Sequence, residues 1–350
     1  MIGIDLFSGA GGMSLGAAKA NIDVKLAIEK NVYAAQSYAY NHVNTTVVID
    51  DIVNINELNF SNKKGEQVIL FGGPPCQGFS KSNQRNRSIN DPRNYLFKTF
   101  IKWADKLMPD WILIENVPNL KGMEDSFFLR EIISELNKIG YTVNFQVLDS
   151  SRFNVPQKRE RIFIVGSLEG IGFEFPEGLE NSINVKDALN DLPNLVNGNR
   201  KDTLPYSRRK PSQYALTLRN NNNLVSNNRV TKNADYIIER YKYIKQGDNW
   251  KSIPDSLMKN YTDKSRCHGS IYRRLKSKEK SMVITNFRKN MLIHPIQNRG
   301  LSVREAARIQ SFPDNFKFIG PLFEQQQQVG NSVPPNLAMS IFKKINQLAS

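Results

Sequence analysis

Cys76 stands in Phe71-Gly72-Gly73-Pro74-Pro75-Cys76-Gln77-Gly78-Phe79-Ser80, at the C-terminal end of an apolar run. Open α/β sheets gather their ligands at that end of their strands. Two prolines stiffen the approach and glycines flank it, which suits a presented thiol. A lone cysteine packed as a small apolar side chain is the plainer alternative. As a nucleophile, the thiol would need neighbours that lower its pKa. Asp110-Trp111-Ile112-Leu113-Ile114-Glu115-Asn116-Val117-Pro118 sets the Glu115 carboxyl at the end of a second apolar run. A buried carboxyl is costly unless it is paired or used. In Asn154-Val155-Pro156-Gln157-Lys158-Arg159-Glu160-Arg161, strand alternation turns Arg159 and Arg161 to one face. There they suit a phosphate or a base carbonyl, with plain surface charge as the other reading.

A glycine-rich segment, Asp5-Leu6-Phe7-Ser8-Gly9-Ala10-Gly11-Gly12-Met13-Ser14-Leu15-Gly16, reads as a strand running through a turn into a helix. Its glycines let the backbone approach a ligand, and Glu29 ends the next strand about 20 residues on, where a ribose hydroxyl would be held. A tight turn and nothing more is the other reading. Ser14 stands where the third glycine of GxGxxG would be, and there is no GxxxxGKS/T segment, so a nucleoside-bearing cofactor is expected rather than a nucleotide triphosphate. His42, His268 and His294 have no metal-site spacing. Cys76 and Cys267 make neither a CxxC pair nor a disulfide framework, which suits a reducing compartment.

These residues need strands beneath them. Apolar runs over 2–7, 24–29, 46–49, 67–71, 111–115, 141–148 and 161–165 read as strands, and 31–40 and 95–107 as helices. Alternating strands and helices, with near-continuous apolar strands, predict a largely parallel sheet covered on both faces. The 141–165 stretch suits a hairpin at one edge. Residues 77–94 form a long polar stretch with Arg85, Arg87 and Arg93, read as a basic lid. From about 175 to 299 apolar runs are short, and the 220–223 asparagine tract reads as loop. Leu337, Ile341, Ile345 and Leu348 share one helical face, with Asn336 as the expected cap.

At 350 residues the chain is long enough for about two domains. No apolar run approaches the roughly 18 residues of a membrane helix. Met1-Ile2-Gly3-Ile4-Asp5 has no basic n-region, so no secretory signal is expected and the cytoplasm is the expected location. The net charge of +15 is unevenly placed: residues 1–150 hold 15 Lys+Arg against 16 Asp+Glu, whereas 151–350 hold 33 against 17. Arg208-Arg209-Lys210, Arg273-Arg274, Lys276, Lys278 and Lys280, with Tyr206, Tyr272 and Phe287, mark the later part as a polyanion-binding surface or a merely solvated one.

Taken in order, DLFSGAGG, GGPPCQGFS, ENV, QKRER, the Arg304-Glu305-Ala306-Ala307-Arg308 segment ending in Ser311-Phe312-Pro313-Asp314, and Gln328-Val329-Gly330-Asn331-Ser332-Val333-Pro334-Pro335 resemble the DNA (cytosine-5)-methyltransferase family, of the prokaryotic restriction-modification type. The resemblance implies a Rossmann-like, S-adenosylmethionine-dependent α/β fold with a second, smaller target-recognition domain. It divides the chain into a catalytic domain over 1–174 plus 325–350 and a recognition domain with hinge over 175–324. Cys76 would attack carbon 6 of a flipped-out cytosine, Glu115 would engage ring nitrogen 3, Arg161 would bind the base carbonyl and Arg159 would hold the nearby backbone or lid. Phe7, Gly9, Gly11, Glu29, Asp51, Ile52, Pro75, Leu96, Asn331 and Ser332 would form the cofactor site, with S-adenosylhomocysteine as product and no metal. Asp50 departs from the family, which often has glycine there; the turn is expected to change without abolishing binding. Double-stranded DNA is the implied partner, with a cognate restriction endonuclease as functional counterpart, and a monomer suffices. The competing readings are a tRNA cytosine-5 methyltransferase of the same family, a catalytically silent DNA-recognition subunit, and a nicotinamide oxidoreductase suggested by the glycine turn alone. Among Arg219, Arg229, Arg273 and Arg288 the sequence offers no ground for choosing a base reader.

Overall fold

The apolar runs without polar alternation become the centre of a seven-stranded sheet. A computed structural model describes residues 1–75, 96–121, 126–219, 222–259, 261, 269–285, 287–288 and 291–349. The strands β1 (Ile2–Leu6), β2 (Asp23–Ile28), β3 (Thr46–Val48), β4 (Val68–Gly72), β5 (Trp111–Asn116), β6 (Thr142–Asp149) and β7 (Glu160–Ser167) lie in the order β3-β2-β1-β4-β5-β7-β6. The first five pair in parallel, and β7 runs antiparallel to both of its neighbours. Every residue of β1 and of β4 is buried, as strands covered on both faces require. The expected hairpin is present, with β6 at the edge and β7 between it and β5.

Helices α1 (Gly12–Lys19), α2 (Val32–Asn41), α3 (Leu96–Leu107) and α4 (Phe127–Lys138) connect the strands. Helix α3 turns Phe97, Phe100, Ile101, Trp103 and Ala104 inward, a spacing of three and four that fits a single helical face. These side chains join Ile4, Leu70, Ile112 and Ile164 in one apolar core. The order of strands reverses between β1 and β4, each leading away on opposite sides, so the C-terminal ends of these two strands form the switch point at which open α/β sheets bind ligands.

The chain divides into two compact units. The first comprises Met1–Phe153, Arg159–Leu179 and Pro335–Ser350, and the second Asn154–Lys158 and Glu180–Pro334. In the second unit lie α5 (Val185–Leu189), β8 (Leu204–Pro205), α6 (Gln213–Leu218), β9 (Leu224–Val225), α7 (Asp235–Lys242), α8 (Val303–Ile309) and α9 (Leu322–Asn331). With so little ladder to occupy its backbone, this unit satisfies many carbonyls with arginine. Arg274 donates to the carbonyls of Ile244, Tyr241, His294 and Gln297, and Arg304 to those of Ser226, Pro313 and Phe316. A guanidinium offers five donors, so one side chain can serve several loop carbonyls that would otherwise be buried without a partner. This corrects the reading of Arg273-Arg274, Tyr272 and Phe287 as one basic surface cluster, since Arg274, Tyr272 and Phe287 are all buried.

Around α8 the charges meet each other. Arg308 places Nη1 2.6 Å from Asp191 Oδ1 and Nη2 2.7 Å from Asp314 Oδ2, all three side chains being wholly buried. Arg299 makes a two-pronged pair with Glu305 at 2.8 and 2.6 Å. Ser302 caps α8 through the Glu305 N–H, and Glu305 returns the bond to the Ser302 N–H, a reciprocal box that fixes the helix start. The final helix α10 (Pro335–Leu348) returns to the first unit and buries Leu337, Ala338, Ile341, Phe342 and Ile345. Pro335 takes its first position, so Asn336 lies inside the first turn and is not the expected cap; its Oδ1 instead accepts from Lys19 Nζ at 3.5 Å. Helix α10 lies close on α1 because Gly16 has no side chain: a Cβ there would stand 2.5 Å from the Ala338 Cβ.

Candidate active site

At the end of β1 the backbone enters the left-handed region three times, at Phe7 (φ 60), Gly9 (φ 57) and Gly11 (φ 93). For the phenylalanine this conformation costs roughly 1–3 kcal/mol, and such strain collects at functional sites. A Cβ added at Gly9 would meet nothing within 4 Å, whereas one at Gly11 would strike His42 Nε2 at 2.5 Å. Gly9 therefore faces open space, and Gly11 closes onto the interior. Beneath the turn, Tyr38 donates to Ser14 Oγ at 2.6 Å and Ser14 donates to Asp5 Oδ2 at 2.5 Å. Burial pushes the Asp5 carboxyl well above its ordinary range, against the pull of the Ser14 bond and with a smaller push from Glu29. Burial also lowers His42 to about 4, so at neutral pH it is an uncharged ring against the Gly11 carbonyl.

Glu29 follows β2 directly. Its Oε2 accepts the Gly9 N–H at 2.8 Å and its Oε1 the Asn31 N–H at 2.7 Å. A carboxylate has about four acceptor positions, more than these two bonds and one from the Lys30 backbone occupy, so acceptor capacity remains for a hydroxyl. Burial raises its pKa, opposed by these backbone bonds and by Lys30. Beyond β3, the Asp51 carboxylate caps a short turn through the Val53 N–H and pairs with Lys30 Nζ at 3.3 Å, while Ile52 is buried. Asp50 Oδ1 accepts from the Asp51 N–H at 2.6 Å and from Asn54 at 3.0 Å. The departure from glycine thus adds side-chain bonds that hold this turn.

Glu115 is the penultimate residue of β5, alongside the end of β4. A Cβ built on Gly73 would come within 3.0 Å of Glu115 Oε2, so the absence of a side chain there lets the carboxyl lie against the backbone leading to Pro74 and Pro75. Asn116 donates to the Pro74 carbonyl at 3.1 Å, fixing that backbone. Across the sheet, Arg161 Nε lies 2.9 Å from Glu115 Oε1, with both side chains 13% exposed. Burial raises the Glu115 pKa and outweighs the opposing pull of Arg161 and then Arg159. Arg159, buried at the entry to β7, is held through its backbone: its N–H donates to Asp149 and its carbonyl accepts from the Ser150 N–H. The structure therefore brings Glu115, Arg159 and Arg161 together, and Phe7, Gly9, Gly11 and Glu29 together.

Pro75 and Leu96 are half-buried on either side of a gap, for Cys76 and the expected lid over 77–94 lie outside the described residues. Asn331 ends α9 and Ser332 follows it, with Ser332 Oγ donating to the Gln328 carbonyl at 2.7 Å; both belong to the second unit. Sequence reasoning missed Asp5, Tyr38 and His42 beneath the glycine turn and Asn116 behind the prolines. An aspartate inside an otherwise apolar strand was the available signal for the first. Among the described residues no group of three or more His, Cys, Asp or Glu side chains could hold a metal ion, and no helix is long and apolar enough to cross a membrane. The fit to a nucleoside-bearing cofactor rests on the open approach at Gly9 and the acceptor capacity left on Glu29.

A family model described as C-5 cytosine-specific DNA methylase matches residues 1–347. The chain is 34% identical over 347 residues to the Type II methyltransferase M1.HphI of Haemophilus parahaemolyticus, covering 98% of this chain and 86% of that one. It is 31% identical over 367 residues to the Type II methyltransferase M.DdeI of Desulfomicrobium norvegicum, covering 98% and 88%. Among solved structures it is similar to one described as a DNA modification methyltransferase encoded within an E. coli prophage, with a TM-score of 0.79, 26% identity and 99% of each chain covered.

Proposed function

Since the chain belongs to the C-5 cytosine-specific DNA methylase family, we propose that it methylates carbon 5 of a cytosine, flipped out of a specific double-stranded DNA sequence, through a covalent adduct with Cys76. The observation that carries this reading is the Glu115 carboxyl, lodged against Gly73 at the approach to Cys76, paired with Arg161 and kept above the ordinary carboxylate range by burial. The family is a methyltransferase family, and S-adenosylmethionine supplies the methyl group when bound.

Carbon 5 of cytosine is a weak nucleophile. Addition of the Cys76 thiolate to ring carbon 6 makes carbon 5 enamine-like, and a proton held by Glu115 at nitrogen 3 neutralises the charge that builds there. Burial at the end of β5 raises the Glu115 pKa, which makes a proton easier to hold there than on an exposed carboxyl. Arg161 orients Glu115 and presents its remaining donors to the base carbonyl, and the buried Arg159 holds the nearby backbone or lid. After methylation, carbon 5 gives up its proton and the Cys76 sulfur leaves as the ring double bond re-forms. Phe7, Gly9, Gly11, Glu29, Asp51 and Ile52, with Pro75, Leu96, Asn331 and Ser332, hold the cofactor, with Glu29 on the ribose and Asp51-Ile52 at the adenine. The first unit is the catalytic one, and the second reads DNA. The protein works as a monomer in the cytoplasm and protects DNA from a cognate restriction endonuclease, a role supported by its likeness to Type II methyltransferases.

The test is methyl transfer into unmethylated genomic DNA and, in parallel, into tRNA, with single-base mapping of 5-methylcytosine and Cys76→Ala as the control. Methylation of DNA confined to one short motif, and lost in the variant, is the expected result. Transfer to tRNA alone, or to neither substrate, overturns the reading.

A further inference from the structure

Arg219, Arg229, Arg273 and Arg288 are equivalent candidates in the sequence, and the structure separates them. Arg229 leans toward Asp202 at 3.8 Å with both side chains exposed, a solvated surface pair. Arg273 is half-buried and Arg288 exposed, and neither has an ion-pair partner among the described residues. Arg219 is seated differently. Its guanidinium carbon lies 3.8 Å from the centre of the Tyr206 ring, and its Nε lies 3.7 Å from Asp191 Oδ2. Both supports are themselves fixed, for Tyr206 donates to Asp314 at 2.6 Å, and Asp191 and Asp314 clamp the buried Arg308. Arg219 therefore occupies the outer end of the ion-paired interior around α8.

Its donors, however, are not consumed there. A separation of 3.7 Å is attraction without a hydrogen bond. Among the described residues the Arg219 side chain donates none, and it remains 24% exposed. Arginines that steady this unit behave otherwise: Arg240, Arg274 and Arg304 are buried and donate to carbonyls. Gripping a phosphate needs charge and reach, which a loosely held lysine supplies as well. A guanidinium seated over a ring, drawn at one nitrogen toward a carboxylate and with its donors uncommitted among the described residues, has the form that two-pronged donation to guanine O6 and N7 requires. The neighbouring Arg208-Arg209-Lys210, all exposed, follows Tyr206 after Ser207 and supplies positive charge for the flanking backbone.

We propose that Arg219 reads a guanine edge in the recognised DNA sequence, with Tyr206 as the platform that sets its plane. This rests on the DNA methyltransferase reading above and names one residue by which the second unit would discriminate.

The experiment maps methylated sites at single-base resolution for the wild type, Arg219→Lys and Arg219→Ala, and measures DNA binding against salt for each. Arg219→Lys keeps the charge and the aliphatic stem but lacks the planar fork, so it is expected to relax one G·C position of the motif by about 5- to 150-fold while leaving the salt slope unchanged. Full stringency in Arg219→Lys, with Arg219→Ala weakening all sequences alike and lowering the salt slope by about one, overturns the proposal in favour of a phosphate contact. An unchanged motif in both variants also overturns it. Wild-type protein that methylates no DNA defeats the underlying reading, and this one with it, whereas a wild-type motif that survives both substitutions defeats only this one.

Discussion

Two glutamate–arginine pairs, one in each unit, have opposite electrostatics. Glu305 and Arg299 are each 2% exposed and joined by two hydrogen bonds; the Ser302 N–H and His294 also face the carboxylate. Burial disfavours its charge, but Arg299, then His294 and the Ser302 bond outweigh burial, and the pKa falls to about 2. Glu115 and Arg161, each 13% exposed, share a single Nε contact at 2.9 Å, and there burial prevails over Arg161 and Arg159, leaving the carboxyl above its ordinary range. The same two residue types thus make a pair whose carboxyl pKa is lowered in one unit and a pair whose carboxyl pKa is raised in the other. The number and geometry of the donors decide which, more than the presence of an arginine.

Glu115→Gln should break the comparison most sharply. It removes the ionisable proton but keeps the shape, and methyl transfer is expected to fall by about 10²–10⁴-fold. Denaturant unfolding should show the variant no less stable than the wild type at neutral pH. The sign follows from the raised pKa: the charge at Glu115 becomes a cost to the fold as pH climbs from the unfolded value through the folded one.

Glu305→Gln should do the reverse. Breaking a buried pair is expected to cost about 3–5 kcal/mol at neutral pH, with Arg299 left unmatched. Because the folded pKa lies below the unfolded value, the stability that Glu305 contributes, on the order of 3 kcal/mol, is present above the unfolded pKa and disappears as pH falls toward 2. The gap between wild type and variant in urea midpoints should therefore narrow in acid. A gap that stays constant with pH would show that packing, and not charge, holds the pair.

The smallest effect is expected at the cofactor side of the first unit. Asp50→Gly removes two side-chain hydrogen bonds in an exposed turn. A cost of about 1 kcal/mol or less is expected, read as a change in S-adenosylmethionine affinity below about 5-fold by calorimetric titration. A larger loss would place Asp50 among the groups that organise the cofactor turn.

The contrast also marks what could be read from the residues. The parallel sheet was legible because 68–72 is a continuous apolar run and 2–6 is broken only by Asp5, and the strand-edge positions of Glu29, Glu115, Arg159 and Arg161 because each borders such a run. Arg274 was misread because its partners, Ile244, Tyr241, His294 and Gln297, are loop carbonyls with no side-chain signature. In the sequence Arg308 reads only as part of a motif, since its partner Asp191 lies 117 residues away and composition cannot tell an internal charge from a solvated one. Asn336 is a good cap by type, but Pro335 fits the first helical position without needing a donor and moves the helix start ahead of it.

The return of α10 to α1 has a consequence for the order in which the molecule can be made. Gly16 and Ala338 meet although they stand 322 positions apart, so the outward face of α1 stays uncovered while the ribosome produces everything between them. Contacts of such separation form late and slow the search for the native topology. During synthesis the nascent sheet carries an apolar flank that a chaperone would recognise. Moving α10 ahead of β1 by circular permutation would let that flank close as soon as it emerged.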